Sequence, residues 1–98
     1  MKIDMQKKDG KLTVAVEGRI DTVTAPELSA ALKAEWAEIN ALDIDFAAVD
    51  YVSSAGLRVV MEADKYMTPR GGLVIRNLNS DVKEVFEMTG FDELLTIE

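Results

Sequence analysis

Leu42-Asp43-Ile44-Asp45-Phe46-Ala47-Ala48-Val49-Asp50-Tyr51-Val52-Ser53-Ser54-Ala55-Gly56-Leu57 changes its hydropathy period in mid-course. Leu42, Ile44 and Phe46 alternate with two aspartates, and Ala47-Ala48-Val49 prolongs the apolar character, which predicts a half-buried strand ending near Asp50. Leu57, Val60, Met61 and Ala63 then recur at helical spacing as far as Thr68-Pro69. A strand that turns directly into a helix is the repeating unit of an α/β sheet, and its junction falls on Ser53-Ser54-Ala55-Gly56.

The flanking sequence extends the pattern in both directions. Upstream, Thr24-Ala25-Pro26-Glu27 has capping-box spacing with proline in the first turn. Leu28, Leu32, Trp36 and Ile39 then form an apolar stripe, with Glu27, Lys33, Glu35 and Glu38 left to face water. Trp36 and Met61, at helical spacing, are expected in the core. Further upstream, Ile3 and Met5 face Leu12, Val14 and Val16 across Asp9-Gly10, the dipeptide of tight hairpins. Downstream, Gly71-Gly72 precedes a short apolar strand, Leu73-Val74-Ile75. Asn79 or Ser80 caps a third helix with Val82, Val85 and Phe86 inward, and Gly90 ends it. Leu94, Leu95 and Ile97 suit a last strand.

The order is β-β-α-β-α-β-α with a terminal β. The expected fold is α/β: a mixed, mostly parallel sheet with an N-terminal antiparallel hairpin, packed against helices. Leu12, Val14, Ile44, Phe46, Leu57, Val60, Val74 and Phe86 are its expected core. No repeat, low-complexity tract or linker divides the chain, so residues 1–98 are expected to form one domain.

Composition narrows the chemistry. The chain has no His and no Cys, which excludes a Ser-His-Asp triad, a thiol nucleophile, a disulfide and the usual zinc sites. With 11 basic and 18 acidic residues the net charge is −7, which repels nucleic acid and anionic membranes and favours a protein partner with a basic patch. Asp4 interrupts any apolar signal segment, and no apolar run nears the ~20 residues that span a bilayer, so a cytoplasmic protein is expected. Neither a cofactor nor a metal is called for.

The Ser53-Ser54 junction is where α/β folds place ligand and regulatory sites. Either serine can cap the helix that follows, with Gly56 permitting close packing. A phosphate on a hydroxyl there would also meet free N–H groups and the positive end of the helix dipole. Asp21 suits a loop before a helix, Thr24 suits that helix's cap, and Arg58 lies one turn beyond Ser54 as a solvated cation or a contact for an acidic group.

Asp50-Tyr51-Val52-Ser53-Ser54-Ala55-Gly56-Leu57 resembles the signature of the STAS domain family, whose stand-alone bacterial members are anti-sigma factor antagonists. Gly18-Arg19-Ile20-Asp21 with Thr24 and Ala25, Gly71 to Ile75, and Val82 to Phe86 with Thr89-Gly90-Phe91 agree with further blocks of the family, in order. The resemblance implies a non-enzymatic switch, and the single core expected from the periodicity suits a monomer. It would bind an anti-sigma factor that is also a serine kinase, be released on phosphorylation, and be reset by a phosphatase. It places the phosphoacceptor on Ser54 and implies a site around it formed by Asp21, Thr24, Ser53, Ala55, Gly56 and Arg58. Ser53 stands where the family often has Asp, and Ala55 where it often has Ser or Thr. The alternative role within the family is an accessory subunit of a lipid-trafficking transport complex, a brace that needs no acceptor hydroxyl. Neighbouring genes for a kinase and sigma factor, or for a transporter, separate the two. A small enzyme is the third reading, opposed by the missing His and Cys and by the lack of paired carboxylates.

Overall fold

A computed structural model describes all residues, Met1–Glu98. Strands β1 (Lys2–Lys8) and β2 (Lys11–Ile20) form the hairpin, with Asp9 and Gly10 both at positive φ, 54° and 82°, as a two-residue turn matched to strand twist requires. Helix α1 (Ala25–Glu35), strand β3 (Ala41–Val52), helix α2 (Ser54–Met67), strand β4 (Leu73–Arg76), helices α3 (Ser80–Met88) and α4 (Phe91–Leu94) and strand β5 (Thr96–Ile97) follow. The sheet order is β1-β2-β3-β4-β5, antiparallel at β1-β2 and parallel elsewhere. Each parallel crossover advances one strand in the same direction, and with connections of one hand, right-handed by the general rule, this puts the helices on one face. That face is lined by register-matched layers: Leu12 beside Leu42 beside Leu73, and Val14 beside Ile44 beside Ile75. Phe46 and Phe86 meet edge to face over it, ring centroids 6.0 Å apart. No helix is long and apolar enough to cross a membrane.

Several sequence expectations are corrected. Strand β3 continues past Asp50 to Val52, because two register shifts against β2 insert extra residues and rephase it. Phe46, Val49 and Val52 are therefore buried at every third position, where simple alternation fails. Helix α1 stops at Glu35 and tightens into a 3-10 turn, Trp36–Glu38. Trp36 is consequently half-buried, stacked on Tyr66 at 4.3 Å and 8°, and Met61 is likewise half-buried. Val74 leaves the core list because it alternates with buried Leu73 and Ile75 onto the face without helices. Leu94 belongs to α4 and is exposed, so the last strand keeps only Thr96 and Ile97.

Candidate functional site

Strands β2 and β3 end side by side, with Arg19 paired to Tyr51 and Ile20 to Val52. From Ile20 the chain enters the loop to α1, and from Val52 it reaches Ser53, whose N–H donates to the Ile20 carbonyl at 2.8 Å. Ser53 is extended (φ −90°, ψ 175°), and its Oγ accepts from the Gly56 N–H at 3.3 Å while its carbonyl accepts from Leu57. Ser53 is thus the cap, and Ser54 is the first helical residue, exposed, with a hydroxyl the cap does not use. The N–H groups of Ser54 and Ala55 lie among those that no turn of helix can satisfy.

Gly56 fixes where this helix start sits. A Cβ there would lie 2.7 Å from Ile20 Cγ2 and 3.1 Å from both the Ile20 carbonyl oxygen and Val52 Cγ1. The first turn of α2 therefore rests directly on the ends of β2 and β3, which brings Ser54 to the same end of the sheet as the Asp21 loop.

That loop is tightly bonded. Asp21 Oδ1 accepts from the N–H groups of Val23 and Thr24, both at 3.0 Å. The Asp21 N–H donates to Thr24 Oγ1 at 2.8 Å, and this hydroxyl donates to the Arg19 carbonyl at 2.7 Å. The Thr24 N–H chiefly, with help from the Val23 N–H and the Arg19 guanidinium, outweighs burial and holds the Asp21 carboxyl below the ordinary carboxylate range. Asp21 also presents its carbonyl to the Ala25 N–H. The expected capping box of Thr24 and Glu27 does not form: Thr24 itself has helical backbone angles (φ −89°, ψ −23°), and its hydroxyl is bonded backwards to Arg19. Asp21 Oδ1 takes the Thr24 N–H that the Glu27 side chain of such a box would have taken.

Arg19, Tyr51 and Val23, absent from the expected site, complete it. The Arg19 guanidinium lies 4.1 Å over the Tyr51 ring, with Nε 3.7 Å from Asp21 Oδ2. Tyr51 is 40% exposed and Val23 82%, although both are apolar. Beside them a groove of about 230 Å³ runs between α1 and α2, lined by Thr22, Ala25, Pro26, Ala55, Arg58 and Val59 among others. Arg58 thus stands in the groove wall, and Ala55 lies in the groove beside the exposed Ser54. The signal that could have found Arg19 and Tyr51 is the β2-β3 register, which the two shifts in β3 conceal. No group of three or more acidic side chains is placed to hold a metal ion.

Residues 2–98 match the model of the STAS domain. The chain belongs to the STAS domain family. It is 39% identical over 93 residues to BtrV of Bordetella bronchiseptica, a protein whose name places it among anti-sigma factor antagonists, covering 93% of this chain and 80% of that one. It is 32% identical over 99 residues to the anti-sigma-B factor antagonist of Listeria monocytogenes, covering 98% of this chain and 87% of the relative. An anti-sigma factor antagonist from Mycobacterium paratuberculosis superposes with a TM-score of 0.90 at 29% identity, over 98% of this chain and 83% of that structure. The STAS family thus carries the sheet topology described above.

Proposed function

We propose that this STAS domain is an anti-sigma factor antagonist: a binding protein, not an enzyme, that sequesters an anti-sigma factor kinase and is turned off by phosphorylation of Ser54. The observation that carries the reading is the division of labour between the two serines. Ser53 Oγ is committed to the Gly56 N–H, so modifying it would cost the cap; Ser54 is exposed beside it and can change without unfolding α2. The names of the relatives at 39% and 32% identity support the same reading.

In the proposed reaction Ser54 Oγ attacks the γ-phosphorus of ATP held by the kinase. The hydroxyl proton passes to a base of the kinase and ADP leaves. The new phosphate, roughly −1.5 to −2 in charge, sits at the positive end of α2 near the unused N–H groups of Ser54 and Ala55. The fold tolerates it, yet it lies on the surface that must close against the partner. Asp21, at the same end of the sheet, adds like charge and destabilises the phosphorylated state. A phosphatase restores the hydroxyl, and the chain works in the cytoplasm as a monomer.

Titration calorimetry with the purified anti-sigma factor kinase of the same organism, with phosphosite mapping, tests this. Ser54→Ala should bind and resist phosphorylation. Ser54→Asp should fold and bind weakly. Ser53→Ala should lose about 1 kcal/mol of stability and still be phosphorylated on Ser54. Tight binding by Ser54→Asp, or phosphate on Ser53 alone, would refute the assignment.

A further inference from the structure

Charge is unevenly spread along the chain. Residues 1–11 carry four of the eleven basic side chains and two of the eighteen acidic ones, a net +2, while the remaining residues carry −9. All four lysines of that segment belong to the β1-β2 hairpin, and β1 is the end of the sheet, paired with β2 alone. At the opposite edge β5 offers only two residues, against seven in β1. The turn decides which backbone groups β1 leaves free. Lys8 and Lys11 flank the two-residue turn and form a bonded pair, and bonded pairs then alternate along the hairpin at Gln6, Asp4 and Lys2. The N–H and C=O groups of Ile3, Met5 and Lys7 therefore point away from β2, and no backbone group elsewhere in the chain bonds to them.

The two faces of this edge differ in chemistry. Ile3 and Met5 lie opposite buried Val16 and Val14 on the helix side, half-buried against the core. On the other face stand Lys2, Asp4, Gln6 and Lys8, all exposed. Lys7 is paired with Glu35 and Glu38 and Lys11 with Asp43, whereas Lys2 and Lys8 are in no ion pair. Lys8 and Lys11, with Gln6, Asp9 and Thr13, also line a depression of about 490 Å³ that has room for a carboxylate beside their ammonium groups.

We propose that the β1 edge is a docking site for an extended acidic segment of another protein, which adds to the five-stranded sheet as a further strand. The backbone of that segment takes up the free groups of Ile3, Met5 and Lys7. Its apolar residues cover Ile3 and Met5, and acidic residues on the alternate positions meet Lys2 and Lys8. The fold already contains this chemistry once. The stretch Leu42-Asp43-Ile44 of β3 lies beside β2 with Leu42 and Ile44 buried on one face and Asp43 held by Lys11 at 3.1 Å on the other. Lysines on a free edge also repel a basic strand, so the residues that admit an acidic segment guard the edge against unselective pairing. The site does not involve Ser54 and stands whether or not the switch operates.

The probe is the capped synthetic peptide Glu-Thr-Glu-Val-Thr-Val-Glu, with Lys-Thr-Lys-Val-Thr-Val-Lys as its charge-reversed control. Each is titrated into the isotope-labelled chain and followed by NMR and amide hydrogen exchange. The acidic peptide should bind saturably, move the amide signals of Ile3, Met5 and Lys7, and slow their exchange about fivefold or more. The lysine peptide should bind at least about fivefold more weakly. Lys2→Glu combined with Lys8→Glu, at two exposed and unpaired positions, should invert the preference between the peptides. Met5→Pro removes an outward N–H and no bond to β2, so it should abolish binding of the acidic peptide while the signals of the other strands persist. No binding of the acidic peptide, equal affinity for the two peptides, an unchanged preference in the double lysine variant, wild-type binding by Met5→Pro, or shifts that map away from β1 would each overturn the proposal. So would a chain that dimerises through β1 with no peptide present, because a second copy would then be the occupant.

Discussion

Asp21 does two jobs with different atoms. Its Oδ1 gathers the N–H groups of Val23 and Thr24 and so shapes the turn that starts α1, whereas in the proposed switch its charge acts on the phosphate at the start of α2. The two jobs separate by substitution. Asp21→Ala removes the acceptor and should lower the urea midpoint, as the loss of a helix cap does. Asp21→Asn keeps an oxygen in the same place and should cost little. Only the charge is lost in that variant, so the rate of phosphate transfer to or from Ser54 should change while the urea midpoint holds near wild type. Equal destabilisation by Asn and Ala would mean that the charge, not the hydrogen-bond geometry, holds the loop.

At the scale of elements, the placement of α2 decides the site, and Gly56 decides the placement of α2. Substituting alanine there drives a Cβ to 2.7 Å from Ile20 Cγ2, within a buried layer that also contains Leu57 and Val52. Overpacking of this kind costs about 1–3 kcal/mol, and because the helix must lift from β2, Ser54 phosphorylation should slow as well. Thermal unfolding and phosphorylation rates of Gly56→Ala check both. Much of this arrangement was legible: the hairpin from Asp9-Gly10, the helix stripes from their spacing, the Ser53–Gly56 turn from its position after an alternating strand. What escaped has a physical cause in each case. A bulge leaves no local mark in composition, so the strand reading stops near Asp50, short of Val52, and gives no sign of the Arg19–Tyr51 stack. Thr24 has the sequence of a cap, but the tertiary bond to Arg19 claimed its hydroxyl. Val23 is invisible because a valine's exposure depends on loop geometry, not on its neighbours in sequence. Which serine caps was open until the backbone angles of Ser53 fixed it.

The whole molecule depends on one apolar layer and one ionic one, on opposite faces of the sheet. In the first, Phe46 is fully buried against Phe86, and Phe46→Ala should cost about 3–5 kcal/mol in denaturation. In the second, Asp43 is the single buried charged residue. Its Oδ2 receives Arg76 Nε at 2.8 Å and Lys11 Nζ at 3.1 Å, and Arg76 Nη1 reaches Glu98 at 2.8 Å, so the network ties β2, β3 and β4 to the end of the chain after β5. Burial pushes the Asp43 carboxyl up, but the Arg76 and Lys11 bonds outweigh it and hold it below the ordinary carboxylate value of about 3.9. A carboxyl depressed in the folded state contributes stability that is complete above its unfolded value and is lost as pH falls through its folded value. Asp21 has the same sign; Asp64, raised by burial, has the opposite one and favours folding on acidification. Relief of the −7 net charge also helps the fold as carboxylates first protonate. Stability should therefore hold or rise slightly from neutral pH towards about pH 5, then fall below about pH 4 as Asp43 and Asp21 take up protons. Asp43→Asn isolates the ionic layer: it should be less stable than wild type at neutral pH, by about 1–3 kcal/mol for the charged hydrogen bonds lost, and the gap should close in acid where wild-type Asp43 is neutral too. Urea midpoints of both proteins across pH 2–7 decide it, and a gap that stays constant down to about pH 2 would show that the carboxylate's charge contributes nothing to holding the strands together.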